Sequence, residues 1–178
     1  MQKVTEEGEE TPEVYQAILA GSQAHGYQVE IVHKSKNKLP KKVDLDFGMY
    51  EGKFVIQTYK DNAICAEYTL QLADIMYFPA DGFDLVIRDY DGDGAADDFA
   101  LGQGQTPDPM LGNFMNYFFF AVNEDGSITQ HTLSTRNGKS LFTIPDAFSK
   151  DFECRDGRIV YQALGEDGTE EQMARIVQ

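Results

Sequence analysis

The residues with the clearest chemical potential are the acids of one short stretch, Asp89-Tyr90-Asp91-Gly92-Asp93-Gly94-Ala95-Ala96-Asp97-Asp98. Asp89, Asp91 and Asp93 lie two apart, Gly94 holds the sixth position and Asp97 the ninth. Alternate acids in a tightly curled loop can aim their oxygens at one centre. Calcium, a hard cation, takes about six to eight oxygens at about 2.3–2.6 Å. Gly94 permits the sharp turn such a loop needs, and Ala95 can add a main-chain carbonyl. Without a cation, each close pair of carboxylates repels by about 1 kcal/mol even in water. The opposing reading is a plain Asp-Gly-rich turn that binds nothing.

The loop departs from the helix–loop–helix calcium site. Its twelfth position is Ala100, where a regulatory site of that type carries a bidentate glutamate. The flanks alternate instead of following a helical period: Phe83, Leu85 and Ile87 before the loop, Phe99 and Leu101 after it. The sequence therefore predicts a strand–loop–strand calcium site over 83–102.

The run VIRDYDGDGAADDFALGQG resembles the FG-GAP repeat of integrin α-subunits and the related VCBS-type repeats of bacterial secreted proteins and lipoproteins. The shared pattern, D-x-D-G-D-G-x-x-D-hydrophobic-A-x-G, is met at Asp89, Asp91, Gly92, Asp93, Gly94, Asp97, Ala100 and Gly102. It departs at Asp98-Phe99, where the pattern has a hydrophobic residue directly after the acid. The resemblance extends from Phe83 to Ile128, with NYFFFAVNEDGSI matching the aromatic strand and turn that follow the loop. It implies Ca2+ held by Asp89, Asp91, Asp93, the Ala95 carbonyl and Asp97. Such repeats build propellers from many blades. One motif in 178 residues does not supply them, so a single reused unit is expected and not a complete propeller.

Other reactive residue types lack a supporting pattern. His25, His33 and His131 show no zinc spacing with one another or with Cys65 and Cys154. A Cys154–His131 nucleophile pair stands against two unrelated structural residues. Cys65 and Cys154 are either a disulfide or two free thiols. Ser22 near His25 has no nucleophile-elbow frame, and Gly102-Gln103-Gly104 lacks the rest of a dinucleotide fingerprint. Outside the metal loop no carboxylate pair stands out for glycoside hydrolysis. Ile75, Tyr77, Phe78 and Pro79 form either core or an exposed aromatic ledge for a sugar or peptide.

The elements that must position these residues follow from composition and period. The chain is 42% hydrophobic, with twelve Phe and nine Tyr, which favours strands. Alternation appears at Tyr27-Val29-Ile31, at Phe54-Ile56-Thr58, and most cleanly at Ile64-Ala66-Tyr68-Leu70-Leu72. Tyr117–Val122 is apolar on both faces, the mark of a central strand. Asp125-Gly126 and Asp167-Gly168 read as hairpin turns. Thr11-Pro12-Glu13 with the stripe Val14, Ile18 and Leu19 and a stop at Gly21 predicts one short N-terminal helix. The fold class is thus mainly β: antiparallel meander sheets of about eight to ten strands plus that helix. A single β-rich domain is expected over 11–178, behind a flexible acidic tether at 1–10.

Charge narrows the partners. The net charge of −15 argues against nucleic acid and anionic membranes. The run Lys34, Lys36, Lys38, Lys41 and Lys42 is either a solvated loop or a patch for an anionic polymer. No apolar stretch is long enough to span a bilayer as a helix, and no hydrophobic leader opens the chain. The expectation is a calcium-stabilised extracellular or cell-surface module for adhesion, sensing or envelope scaffolding, with a protein, glycan or cell-envelope ligand and no catalysis. The alternatives are a carbohydrate-binding module using the aromatic ledge, and a secreted hydrolase.

Overall fold

The computed structural model describes residues 15–35, 47–51, 53–70, 75–79, 83–103, 114–141, 144–147, 151–166 and 168–177. All regular structure among them is β. The first strands are β1 (Tyr15–Ala24), β2 (Tyr27–Ser35), β3 (Phe47–Glu51), β4 (Lys53–Lys60), β5 (Ala63–Thr69) and β6 (Ile75–Pro79). Then come β7 (Phe83–Asp84), β8 (Ile87–Arg88), β9 (Asp98–Gln103), β10 (Phe114–Val122), β11 (Ile128–Gln130) and β12 (Thr132–Thr135). The last are β13 (Ser140–Leu141), β14 (Ile144–Ala147), β15 (Cys154–Arg155), β16 (Arg158–Gly165) and β17 (Gly168–Val177). These strands exceed the eight to ten expected; one run read as continuous, Phe83–Ile87, is divided into β7 and β8, and several two- to four-residue strands add to the number.

Among the described residues the pairing is antiparallel except between β1 and β7, and no sheet closes into a barrel. One sheet has the order β5-β4-β2-β1-β7, a second β11-β10-β9-β8 with β14 also on β10, and a third β13-β12-β17-β16-β15. β3 and β6 pair separately. The aromatic-ledge segment is therefore strand backbone, and its side chains lie outside the described set.

β10 explains how the sheets stack. Phe118, Phe120 and Val122 enter a core with Val29, Ile31, Phe54 and Ile56 of the first sheet. Tyr117 and Phe119 enter a second core with Leu133, Ile159, Ala174 and Ile176 of the third. The strand that is apolar on both faces thus lies in a middle layer. Burying each Phe there contributes about 1.5–3 kcal/mol. The Asp125-Gly126 turn that ends β10 docks on the first sheet: Gly126 has φ 83°, and the Tyr27 ring lies where a Cβ would sit. Thr58 Oγ1 donates to the Gly126 carbonyl at 2.6 Å.

Two expectations need correction. The short N-terminal helix is absent over the described part of its span: Tyr15–Ala24 is β1, laddered along β2, while Thr11–Val14 lies outside the described residues. Ile18 and Leu19 suggested a helical stripe because a bulge falls there, between Ile18 and Ala20, and shifts the register. A helix that short is marginal by itself, whereas the β2 ladder satisfies the backbone amides. The second correction concerns Ile64, expected inward but 57% exposed. Thr58 pairs with Ala66 and Tyr59 with Ile64, so Cys65 is the extra residue of a bulge. One extra residue moves Ile64 to the other face. Cys65 is itself exposed, as its place on the polar side implied.

The tether at 1–10, Lys36–Lys42, Gly104 and Asp167 lie outside the described residues. Lys34, the first of the lysine run, is 2.7 Å from Glu67 on the sheet surface. No described helix is long and apolar enough to cross a membrane.

Candidate metal centre

The acidic loop joins β8 to β9, which pair as Ile87↔Phe99 and Arg88↔Asp98. Strands therefore hold both of its ends. Inside, Asp89, Asp91 and Asp93 bend the chain by accepting from amides just ahead of them. Asp89 Oδ1 accepts from Gly92 N at 2.6 Å and its Oδ2 from Gly94 N at 3.0 Å. Asp91 Oδ1 accepts from Asp93 N at 2.9 Å, and Asp93 Oδ1 from Ala95 N at 2.7 Å. Local side-chain-to-backbone bonds of this kind are what Asp offers a turn. Gly92 and Gly94, at φ 81° and 95°, take the left-handed backbone the winding demands.

Three carboxylates converge: one oxygen each from Asp89, Asp91 and Asp98, all within 4.8 Å of one another. Oxygens around one calcium ion lie at most about 5 Å apart, twice the Ca–O distance, so this spacing suits a single hard cation. The donor set is all oxygen, the chemistry that hard cations take.

The structure thus brings Asp89 and Asp91 together with Asp98, a residue the spacing argument passed over. Asp93 is exposed and turned onto the Ala95 amide. Asp97 is buried and outside this group of three, its Oδ2 2.7 Å from His25 Nε2. Burial pushes the Asp97 carboxyl above the usual range; the His25 bond opposes this, and the nearby Asp98 and Asp93 charges add to it. A signal for Asp98 was present: it is the acid standing where the repeat pattern places a hydrophobic residue.

Asp98 is fully buried and held from three directions. Its Oδ2 accepts from Tyr90 N at 2.8 Å and Asp91 N at 3.0 Å, and its Oδ1 lies 2.7 Å from His131 Nε2. A carboxylate has about four lone-pair sites, which leaves one for a cation. His25 stands in the β1–β2 turn with φ 50°, and His131 lies between β11 and β12. Each fixes one acid of the loop. Arg88 Nε also donates to Asp151 Oδ1 at 2.8 Å, and Phe152 N donates to the Tyr90 hydroxyl at 3.1 Å. The loop is consequently tied to all three stacked sheets.

Cys65 and Cys154 are free, exposed thiols and not a disulfide. Burial of the thiol group pushes the Cys154 pKa up, and Asp89, Asp98, Asp151 and Glu153 push it the same way. This disfavours the thiolate a nucleophile needs, and His131 Nε2 is engaged by Asp98. Comparisons with protein-family models, curated proteins and solved structures found no match to this chain, so the likeness to FG-GAP repeats rests on the sequence pattern of Phe83–Ile128 alone.

Proposed function

We propose that the Asp89–Asp98 loop binds one calcium ion and that the chain is a calcium-stabilised binding or scaffolding module of the extracellular space or cell surface. The observation that carries this reading is the convergence of the Asp89, Asp91 and Asp98 carboxylates in a loop clamped at both ends. Clamping matters because an ion that crosslinks a loop held by three sheets stabilises the whole stack. Asp93, the Ala95 carbonyl and water supply the remaining oxygens, and Asp97 orients the loop through His25. Extracellular sites of this kind bind at about 10⁻⁴–10⁻³ M. A few millimolar calcium then stabilises the fold by about 1–2 kcal/mol.

The test is thermal unfolding in calcium, magnesium and chelator for the wild type, Asp91→Ala, Asp98→Asn and Asp97→Asn. The wild type should melt higher in calcium than in chelator, with magnesium close to chelator because it prefers a tighter octahedron. Asp91→Ala and Asp98→Asn should lose the calcium increment, while Asp97→Asn keeps it. Identical melting of the wild type in all three conditions would remove the site and the functional reading with it.

A further inference from the structure

Among the described residues, the third sheet leaves one lane open. β17 pairs with β16 from Gly168 to Ala174, without a register shift. On its other side β12 accompanies it only over Ala174–Val177. β12 then leaves through a turn in which Gly138 N donates to the Thr135 carbonyl at 3.0 Å and Thr135 N to the Lys139 carbonyl at 2.9 Å. Beyond that turn, among the described residues, no strand lies beside Gly168–Met173. The gap is six residues, about 20 Å of strand. Glu170, Glu171 and Gln172 within it are exposed.

An open edge presents unpaired amides and carbonyls that can template another strand, and natural edges are blunted by bulges, lysine or proline. The outer edge of β5 carries such a device, the Cys65 bulge. The stretch from Gly168 to Met173 has no bulge, lysine or proline. What it has is acid: Glu170 and Glu171, with Glu166 exposed at the hairpin tip. Arg155, on the far side of β16, reaches Glu171 at 2.8 Å. Two copies of this edge would oppose like charges, and the net charge of −15 works against self-pairing as well. The same acids attract a basic strand.

We propose that the Gly168–Met173 edge accepts an extended, lysine- or arginine-rich segment of another protein as an added strand. Main-chain bonds along the lane would supply affinity, and the glutamates would supply selectivity. The surface is separate from the acidic loop and does not depend on calcium.

The probes are two capped heptapeptides, one alternating lysine with valine and one alternating glutamate with valine, titrated into the full chain in chelator. Backbone amide shifts and hydrogen exchange are followed by NMR. The lysine peptide should slow exchange at alternate amides of Gly168–Met173 at least tenfold, and the glutamate peptide should not. The double variant Glu170→Lys/Glu171→Lys should reverse the preference; if it does not fold, the contrast between the peptides on the wild type still decides. Four results overturn the proposal: equal effects of both peptides, shifts confined to the 89–98 loop, no change at millimolar peptide, or a lane already protected in the free chain.

Discussion

β10 and the loop between β8 and β9 belong to one sheet, yet they are held by different forces. β10 is fixed by area: from Tyr117 to Val122 every residue is buried, and alternate side chains supply two cores. The loop is fixed by direction: its acids are aimed by amides two to five residues ahead and by histidines 72 and 33 residues away in sequence. Area tolerates small shifts in geometry. Directed hydrogen bonds do not. Mutations should therefore destabilise β10 most and disturb specific function in the loop most.

The largest effect is expected for Phe119→Ala. Phe119 is fully buried, with the Tyr90 and Phe152 rings centred 5.3 Å from its own. A Phe-to-Ala change at such a site costs about 3–5 kcal/mol. Denaturant unfolding should show that loss equally in calcium and in chelator. A loss confined to calcium would break the division between the two regions.

Gly126→Ala comes next. The backbone at φ 83° costs an L-residue about 1–2 kcal/mol. The added Cβ would lie 2.6 Å from Tyr27 Cε1, a rigid ring edge, and such overpacking adds about 1–3 kcal/mol. The variant Tyr27→Ala/Gly126→Ala should recover the steric part relative to Tyr27→Ala alone. If it recovers nothing, the turn is not docked as described.

Legibility from sequence follows the same division. Area has a local signature, so Tyr117–Val122 could be read as central from six consecutive residues. Hairpin chemistry is local too, and Asp125-Gly126 sits where expected, between β10 and β11. Bulges leave no such mark: a single extra residue at Leu19 imitated a helix, and one at Cys65 turned Ile64 outward. At the acidic loop, spacing identified the segment and its strand–loop–strand frame. It did not show that Asp98 joins Asp89 and Asp91, because that choice depends on His25 and His131, which no local pattern connects to the loop.

Tyr90 links the regions, since it lies in the loop and packs into the core of β10. Burial, the largest cause, pushes its phenol up to about 12. The unfolded chain ionises near 10, so between those values the unfolded state binds fewer protons and stability must fall as pH rises. Two units correspond to about 2–3 kcal/mol once both states are ionised. Tyr161 shifts in the same direction, also by burial, so Tyr90→Phe should flatten the alkaline decline without abolishing it. Denaturant titrations between pH 9 and 11.5 measure the slope. Equal slopes for the two proteins would mean that the Tyr90 hydroxyl is not held in the core.

The smallest effects should separate the two histidines. His131→Ala removes a partner from Asp98, which is fully buried, and an under-satisfied buried carboxylate costs about 1–3 kcal/mol. His25→Ala removes the partner of Asp97, which retains 12% side-chain exposure and can recover a water, so about 1 kcal/mol or less is expected. The cation response should divide the same way. Freed from His131, Asp98 can rotate off the Asp89–Asp91 pair, so His131→Ala should weaken calcium binding several-fold. Replacing His25 releases an acid that is not one of the three grouped carboxylates and should leave affinity close to wild type. Isothermal titration with calcium reads both variants directly. A larger loss from His25→Ala would place Asp97, and not Asp98, in the coordination sphere, restoring the ligand set that the spacing of the acids first suggested.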